Sequence, residues 1–313
     1  MTSPVSWLLP VKNGMPFLRE TLESLARQTH RDFVVLAWDN GSTDGSLEEL
    51  RSWIPARLAG RVIDSQPLPY PESLRALVEL ADTTFCARID ADDVCEPQRL
   101  AVQLSALQEN TALHALGSRI TPIDESGRPT PLNYPLPETY TGILHRLFET
   151  NCISHPSVIF RRAAVLAAGN YRLPAPVEDY DLWLRLAAAG RIANLAQPLL
   201  RYRVRSSSVT HLALKAETLA NSLDQAWLRN APVFIGLKNF QSAARLRDKK
   251  SRFALPLLWQ VARTFQSRDG VSSLERFRLH SFSAACRTHV ADADILTKAF
   301  LKVVGCRVAQ TSP

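Results

Sequence analysis

Two hydrophobic periods interleave along the first third of the chain. Short apolar, β-rich runs, VSWLLPV (5–11), DFVVLAWD (32–39), RVIDSQ (61–66) and TTFCARID (83–90), are separated by stretches in which apolar residues recur every three or four positions. Leu18, Leu22, Leu25 and Ala26 form one such stripe, and Leu74, Leu77, Val78 and Ala81 another. The runs suit strands and the stripes suit amphipathic helices. Between the second and third strands lies SLEELRSWI (46–54), whose Ser46 and Glu49 have capping-box spacing. Strands and helices in alternation predict an α/β fold with a doubly wound, mainly parallel sheet.

Further on, DYDLWLRLAAAG (179–190) places Leu182, Leu186 and Ala189 on one side of a helix with Gly190 as a stop. Past residue 210 the pattern is helical only. Leu212, Ala216, Leu219 and Leu223 recur in LALKAETLANSLDQAWL (212–228), and ADILTKAFLKVV (293–304) is similarly amphipathic. The chain therefore divides into residues 1–210 and a mainly helical extension, 211–313.

Composition changes this picture little. Of 313 residues 46% are hydrophobic and 21% charged, a soluble globular balance with no sign of disorder. The five cysteines, at 86, 95, 152, 286 and 306, include no CxxC, so neither a disulfide framework nor a zinc site is expected, and a reducing cytosol fits. No signal peptide is read at the N-terminus. No apolar run reaches the roughly eighteen residues that span a bilayer.

Charge changes it more. Residues 211–313 hold 16 Lys/Arg against 7 Asp/Glu, while residues 1–210 hold 21 against 23, so the excess of +7 comes entirely from the extension. Within it, LKNFQSAARLRDKKSRFALPLLW (237–259) mixes cations with Phe and Trp. That composition fits either a merely solvated basic surface or a peripheral contact with anionic lipid headgroups. Nucleic acid is not expected, because no recognisable nucleic-acid-binding fold accompanies the charge.

Ligands of such sheets bind outside the carboxyl ends of the strands. Asp39 ends the second predicted strand, and Asp90, Asp92 and Asp93 end the fourth. Asp39, in DNGSTDG, also reads as an ordinary turn-former and is then expected to be exposed. RIDADD (88–93) is harder to explain as a turn, because its carboxylates need either water or a cation. An Asp-x-Asp pair suits a divalent ion that carries a diphosphate, since Mg2+ and Mn2+ take few carboxylates and fill up with phosphate and water. The pair Glu178-Asp179 reads on its own as acids favoured at a helix N-terminus.

Seven motifs in order, PVKNG (10–14), SLARQT (24–29), DNGSTDGS (39–46), ARIDADD (87–93), HPSVIFRR (155–162), EDYDLWLRL (178–186) and LLRYRVRSSSVT (199–210), resemble the family 2 glycosyltransferases. The resemblance implies their A-type fold, a Rossmann-like doubly wound sheet that is mixed and mainly parallel. It implies an inverting transfer of sugar from a nucleotide-diphospho-sugar, a UDP- or dTDP-sugar, to a hydroxyl of a glycan or lipid-linked acceptor in cell-surface polysaccharide synthesis. The implied location is the cytoplasm or the inner face of the cytoplasmic membrane. By the same resemblance Pro10, Val11 and Asn13 line the nucleotide pocket and Asp39 holds the base. Asp90 faces the ribose and donor sugar, and Asp92 ligates Mg2+ or Mn2+. Asp179 is the general base, with Glu178, His155 and Trp183 supporting it or the acceptor. Arg88 would lie near the diphosphate or hold the acidic loop, with a salt bridge to Asp93 as the alternative, and Asp93 would be a loop-holding residue.

One position departs from the pattern. Similar sequences carry a metal-ligating histidine where this chain has Arg205, which cannot ligate a metal but could hold a diphosphate. His211, six residues on, is a possible substitute. The departure leaves open a second function, a non-catalytic relative that binds nucleotide or glycan as an assembly partner.

Overall fold

The computed structural model describes residues 4–132, 134, 136–205 and 218–234. The predicted basic stretch 237–259, the amphipathic segment 293–304 and His211 lie outside the described residues. Four strands in the first half, β1 (Val5–Val11), β2 (Phe33–Asp39), β3 (Gly60–Ile63) and β4 (Phe85–Arg88), pair in the order β3-β2-β1-β4, all parallel. The helices between them are α1 (Leu18–Ala26), α2 (Ser46–Trp53) and α3 (Tyr70–Leu80).

Every residue of β1 is buried, and alternate side chains feed opposite layers. Val5, Trp7, Leu9 and Val11 pack with Leu18, Leu22 and Leu25 of α1 and with Leu50 and Trp53 of α2. Leu8 faces the other way, into the core that holds Leu74, Leu77 and Val78 of α3. Burial on both faces is why β1 reads as one continuous apolar run rather than an alternating one.

The sheet continues past the strands legible in the sequence. β5 (Val94–Cys95), β6 (Leu113–Ile123), β7 (Ile159–Arg161) and β8 (Arg191–Arg203) complete eight strands in the order β3-β2-β1-β4-β7-β6-β8-β5. β7 runs antiparallel to both β4 and β6, β8 is parallel to β6, and β5 is antiparallel to β8. The sheet is therefore mixed.

Around this half lie α4 (Arg99–Glu109), α5 (Tyr140–Glu149), α6 (Arg162–Ala167) and α7 (Glu178–Ala189). A last described helix, α8 (Thr218–Phe234), falls beyond residue 210 yet belongs to the same core. Its Ala226, Trp227, Ala231 and Phe234 are fully buried in the cluster that contains Leu182, Trp183, Leu184 and Leu186 of α7. Polar contacts reinforce the packing. Asn230 donates to Asp181 Oδ1 at 2.8 Å and accepts from Arg172 at 2.7 Å.

The expected capping box at Ser46 and Glu49 does not form. The residue before the helix is Gly45, in a left-handed conformation with φ 89°. Asp44 supplies the cap instead, its Oδ1 accepting from the Ser46 backbone N–H at 3.1 Å and from Ser46 Oγ at 2.6 Å. Glu49 is engaged elsewhere, accepting from Arg19 at 2.9 Å and from Trp53 Nε1 at 2.9 Å.

Candidate active site

β1 and β2 end in register, Pro10 beside Trp38 and Val11 beside Asp39. The loops that follow are tied together by Asn13, whose backbone N–H donates to Ser42 Oγ and whose Oδ1 accepts from the Thr43 N–H, both at 2.9 Å. Asp39 is not the exposed turn residue that its local sequence predicts, being 4% exposed. Its Oδ2 does make the turn, accepting from the N–H groups of Gly41 and Ser42 at 3.0 Å each. Its Oδ1 is buried without a partner among the described residues. A buried carboxylate oxygen left open beside a strand end has the chemistry to receive a ligand N–H.

β4 delivers the acidic loop. Arg88 is only 1% exposed and bonds Asp90 Oδ1 through Nη2 at 2.6 Å, so it holds the acidic loop through Asp90 and not through Asp93. Among the described residues its Nε and Nη1 have no hydrogen-bond partner. Burial works against the guanidinium charge, but the neighbouring Asp90 outweighs it and raises the Arg88 pKa.

Asp93 is fully buried. Its Oδ1 accepts from the Arg203 backbone N–H at 2.9 Å, and its carbonyl accepts from Thr21 Oγ1 at 2.8 Å. It holds the loop between β8 and α1, in the role expected of it. Asp92 accepts from Arg205 Nη1 at Oδ2, 3.0 Å away, while its carbonyl takes Arg203 Nε at 2.8 Å.

Asp90, Asp92 and Asp93 each offer a carboxylate oxygen within 4.8 Å of the others. Burial and the charge of Asp90 raise the Asp92 pKa, and burial with both neighbours raises Asp93 well above the ordinary carboxylate range. A crowded, all-oxygen set, its repulsion only partly offset by Arg88 and Arg205, fits a hard divalent ion such as Mg2+ or Mn2+. Arg205 on Asp92 competes with such an ion.

The first turn of α7 carries the second pair of acids. Val177, which precedes the helix, gives no side-chain cap. Asp179 accepts from the Tyr180 N–H at 2.6 Å and from Asn151 Nδ2 at 2.7 Å. It titrates at about 6, raised by burial against the opposing pull of those two bonds. Glu178 is pushed further, to about 8, by burial and then by Asp179, and its Oε2 has no partner among the described residues. The two carboxyls therefore titrate as one pair, both shifted upward by burial and Glu178 further than Asp179, the arrangement of an acid beside a base.

His155 is held behind this pair. Its Nε2 meets Tyr171 Oη at 2.8 Å and its Nδ1 lies 3.9 Å from Glu178 Oε1. Burial, helped by the charge of Arg88, lowers its pKa well below the ordinary imidazole value, so it is neutral and the contact is not an ion pair. Trp183, fully buried, packs edge-on against it with ring centroids 5.8 Å apart. The two acidic sites act on each other, since the charges of Arg88 and Asp90 both reach Glu178.

Several contributors carried no distinct signal in the sequence. Asn151 reaches Asp179 across 28 positions. Arg203 was legible only as part of the YRVR run. Asp181, which a helix reading treats as one more acid in the first turn, is bonded by Arg172, Arg185 and Asn230 and braces α7 from below.

The family model described as glycosyl transferase family 2 matches residues 6–167. Among curated proteins, the amylovoran biosynthesis glycosyltransferase AmsE of Erwinia amylovora is 31% identical over 196 residues, covering 61% of this chain and 72% of that one. The O-antigen biosynthesis glycosyltransferase WbnJ of Escherichia coli is 28% identical over 215 residues, 67% of this chain and 83% of that one. Among solved structures, the mannosyltransferase PcManGT from Pyrobaculum calidifontis in complex with GDP-Man and Mn2+ superposes with a TM-score of 0.60 at 18% identity, over 96% of this chain and 87% of that one. S. aureus TarS 1-349 in complex with UDP-GlcNAc gives 0.54 at 16% identity, over 95% and 91%. The shared architecture is the A-type glycosyltransferase fold.

Proposed function

The chain belongs to glycosyl transferase family 2, and from that premise we propose that it transfers a sugar from a nucleotide-diphospho-sugar to a hydroxyl of a glycan or lipid-linked acceptor, with inversion at the anomeric carbon. The observation that carries this reading is the buried acid pair in the first turn of α7, with Asp179 held by Asn151 and the Tyr180 N–H beside Glu178, together with the cluster of Asp90, Asp92 and Asp93. Asp179 takes the proton of the acceptor hydroxyl as its oxygen bonds the anomeric carbon. On the opposite face the bond to the diphosphate oxygen breaks, and its electron pair leaves with the nucleoside diphosphate.

Asp39, with its open Oδ1, takes an N–H of the base, and Asn13 sets the loop around it, with Pro10 and Val11 forming the wall. Arg88 orients Asp90 toward the ribose and donor sugar. Asp92 and Asp90 would hold Mg2+ or Mn2+, which when bound offsets the charge gathering on the leaving group. His155, Glu178 and Trp183 hold Asp179 and the acceptor side in place.

The names of AmsE and WbnJ support a role in polysaccharide or O-antigen assembly. The ligands named with PcManGT and TarS support a nucleotide-sugar donor, and they widen the choice of base beyond uracil and thymine to guanine. We place the protein in the cytoplasm, at the inner face of the membrane, where lipid-linked acceptors are presented. A thermal-shift screen of UDP, dTDP and GDP and their sugars, with and without Mn2+, tests the donor. Slow release of free sugar from the matching donor, abolished in Asp92→Ala, tests turnover. Nucleotide binding with no sugar release under any condition would favour the non-catalytic relative.

A further inference from the structure

Arg205 occupies a charged position that its neighbours define closely. Its Nη1 lies 3.0 Å from Asp92 Oδ2, and the two side chains are only 25% and 23% exposed. The guanidinium carbon lies 5.1 Å from the centroid of the Phe17 ring, and Arg203 lies over the same ring at 4.5 Å. Arg203 is itself fixed, bonding the carbonyls of Asp92, Asp124 and Glu125 and the carboxylate of Glu20. Phe17, Arg203 and Asp92 thus surround Arg205.

An arginine here brings a permanent positive charge to the carboxylate that a divalent ion would use, and it brings N–H donors that a metal lacks. Cation and carboxylate already form a pair before any ligand arrives. An incoming ion must displace the guanidinium from Oδ2 or settle for the other oxygen. A diphosphate, by contrast, can be met by the N–H groups that Asp92 does not use.

Resting on the donor reading above, we propose that Arg205 is a tethered cation that shares Asp92 with the divalent ion, neutralising the acidic loop when the ion is absent and turning its remaining N–H donors to the donor diphosphate. The nucleotide then binds without added metal. Metal binding to the free protein is weaker than three clustered carboxylates would otherwise give.

The test uses the full chain and its Arg205→Gln and Arg205→His variants. UDP, GDP and dTDP are titrated by calorimetry in EDTA and in Mn2+, and Mn2+ alone is titrated by electron paramagnetic resonance. The wild type is expected to bind one of the nucleotides in EDTA within about tenfold of its affinity in Mn2+. Arg205→Gln should lose about tenfold or more in EDTA, the loss of a charge-assisted pair to phosphate. The same variant should bind free Mn2+ several-fold more tightly than the wild type, and Arg205→His, which adds an imidazole ligand, more tightly again. Nucleotide binding by the wild type only in Mn2+, or Arg205→Gln unchanged in both titrations, would overturn the proposal and leave the donor reading standing. Failure of UDP, GDP and dTDP alike to bind in any condition would overturn both. Should a variant not fold, the comparison of EDTA with Mn2+ in the wild type still decides.

Discussion

Asp179 and Glu178 are neighbours in sequence whose carboxyls burial shifts upward by different amounts, and the pair sets two expectations. Asp179→Asn removes the proton acceptor without changing shape, so turnover should fall by about two orders of magnitude or more while nucleotide affinity holds. Turnover close to wild type would reduce Asp179 to a residue that merely satisfies the Tyr180 N–H. In the wild type, kcat/KM should fall as pH drops through about 6, because protonated Asp179 can no longer accept. Glu178 supplies the second expectation. Its carboxyl binds a proton more tightly folded than unfolded, so its contribution to stability is complete below the ordinary 4.5 and is lost progressively as pH rises to about 8. In Glu178→Gln that loss disappears. Denaturant unfolding at pH 5 and pH 9 should show the variant losing less stability than the wild type by at least about 1 kcal/mol, and equal losses would mean that Glu178 ionises freely. Local sequence cannot reveal these shifts. It presents Asp179 as an acid in a first turn, whereas the burial that raises its pKa comes from the closed core and the Asn151 bond that opposes the rise comes from a distant loop.

At the scale of elements, legibility followed burial on the sheet. β1, β2 and β4 announce themselves because strands inside the parallel half of the sheet are buried and largely apolar, β3 is a short, half-buried edge strand, and the stripes of α1 and α3 follow from helices that cover one face each. The second half hides its strands. β5 is two residues long, and β6 and β8, LHALGSRITPI and RIANLAQPLLRYR, carry Gly, Pro and polar residues with repeated shifts of register, so neither shows a clean period. α8 was visible as an amphipathic stripe, but not what its apolar face meets. Trp227, fully buried against the α7 core, should cost about 3–5 kcal/mol when replaced by alanine. Thermal or denaturant unfolding will check this, and a change under about 1 kcal/mol would mean that α8 is only loosely attached. A chain ended at 210 should for the same reason lose the fold of the catalytic body.

For the molecule as a whole, the excess positive charge and the acidic site belong to different stretches of sequence. If the basic extension meets anionic lipid, vesicles rich in anionic headgroups should bind the full chain at low salt and release it as salt approaches several hundred millimolar, since exposed charges are screened over roughly 8–10 Å at physiological ionic strength. Replacing Arg245, Arg247, Lys249 and Lys250 with glutamine should weaken that binding without affecting sugar release, and unchanged vesicle affinity would leave the charge without a membrane role. The joining of α8 to α7 has a further consequence, for the order in which the protein is made. The helix that carries Asp179 leaves the ribosome before the helix that closes over its back. Until Phe234 has cleared the exit tunnel, Leu182 and Leu186 stand open to chaperones and to neighbouring nascent chains, and Asp181 lacks its bond from Asn230. A translation stall in that interval leaves a chain that contains Asp179 on a helix whose back is still uncovered.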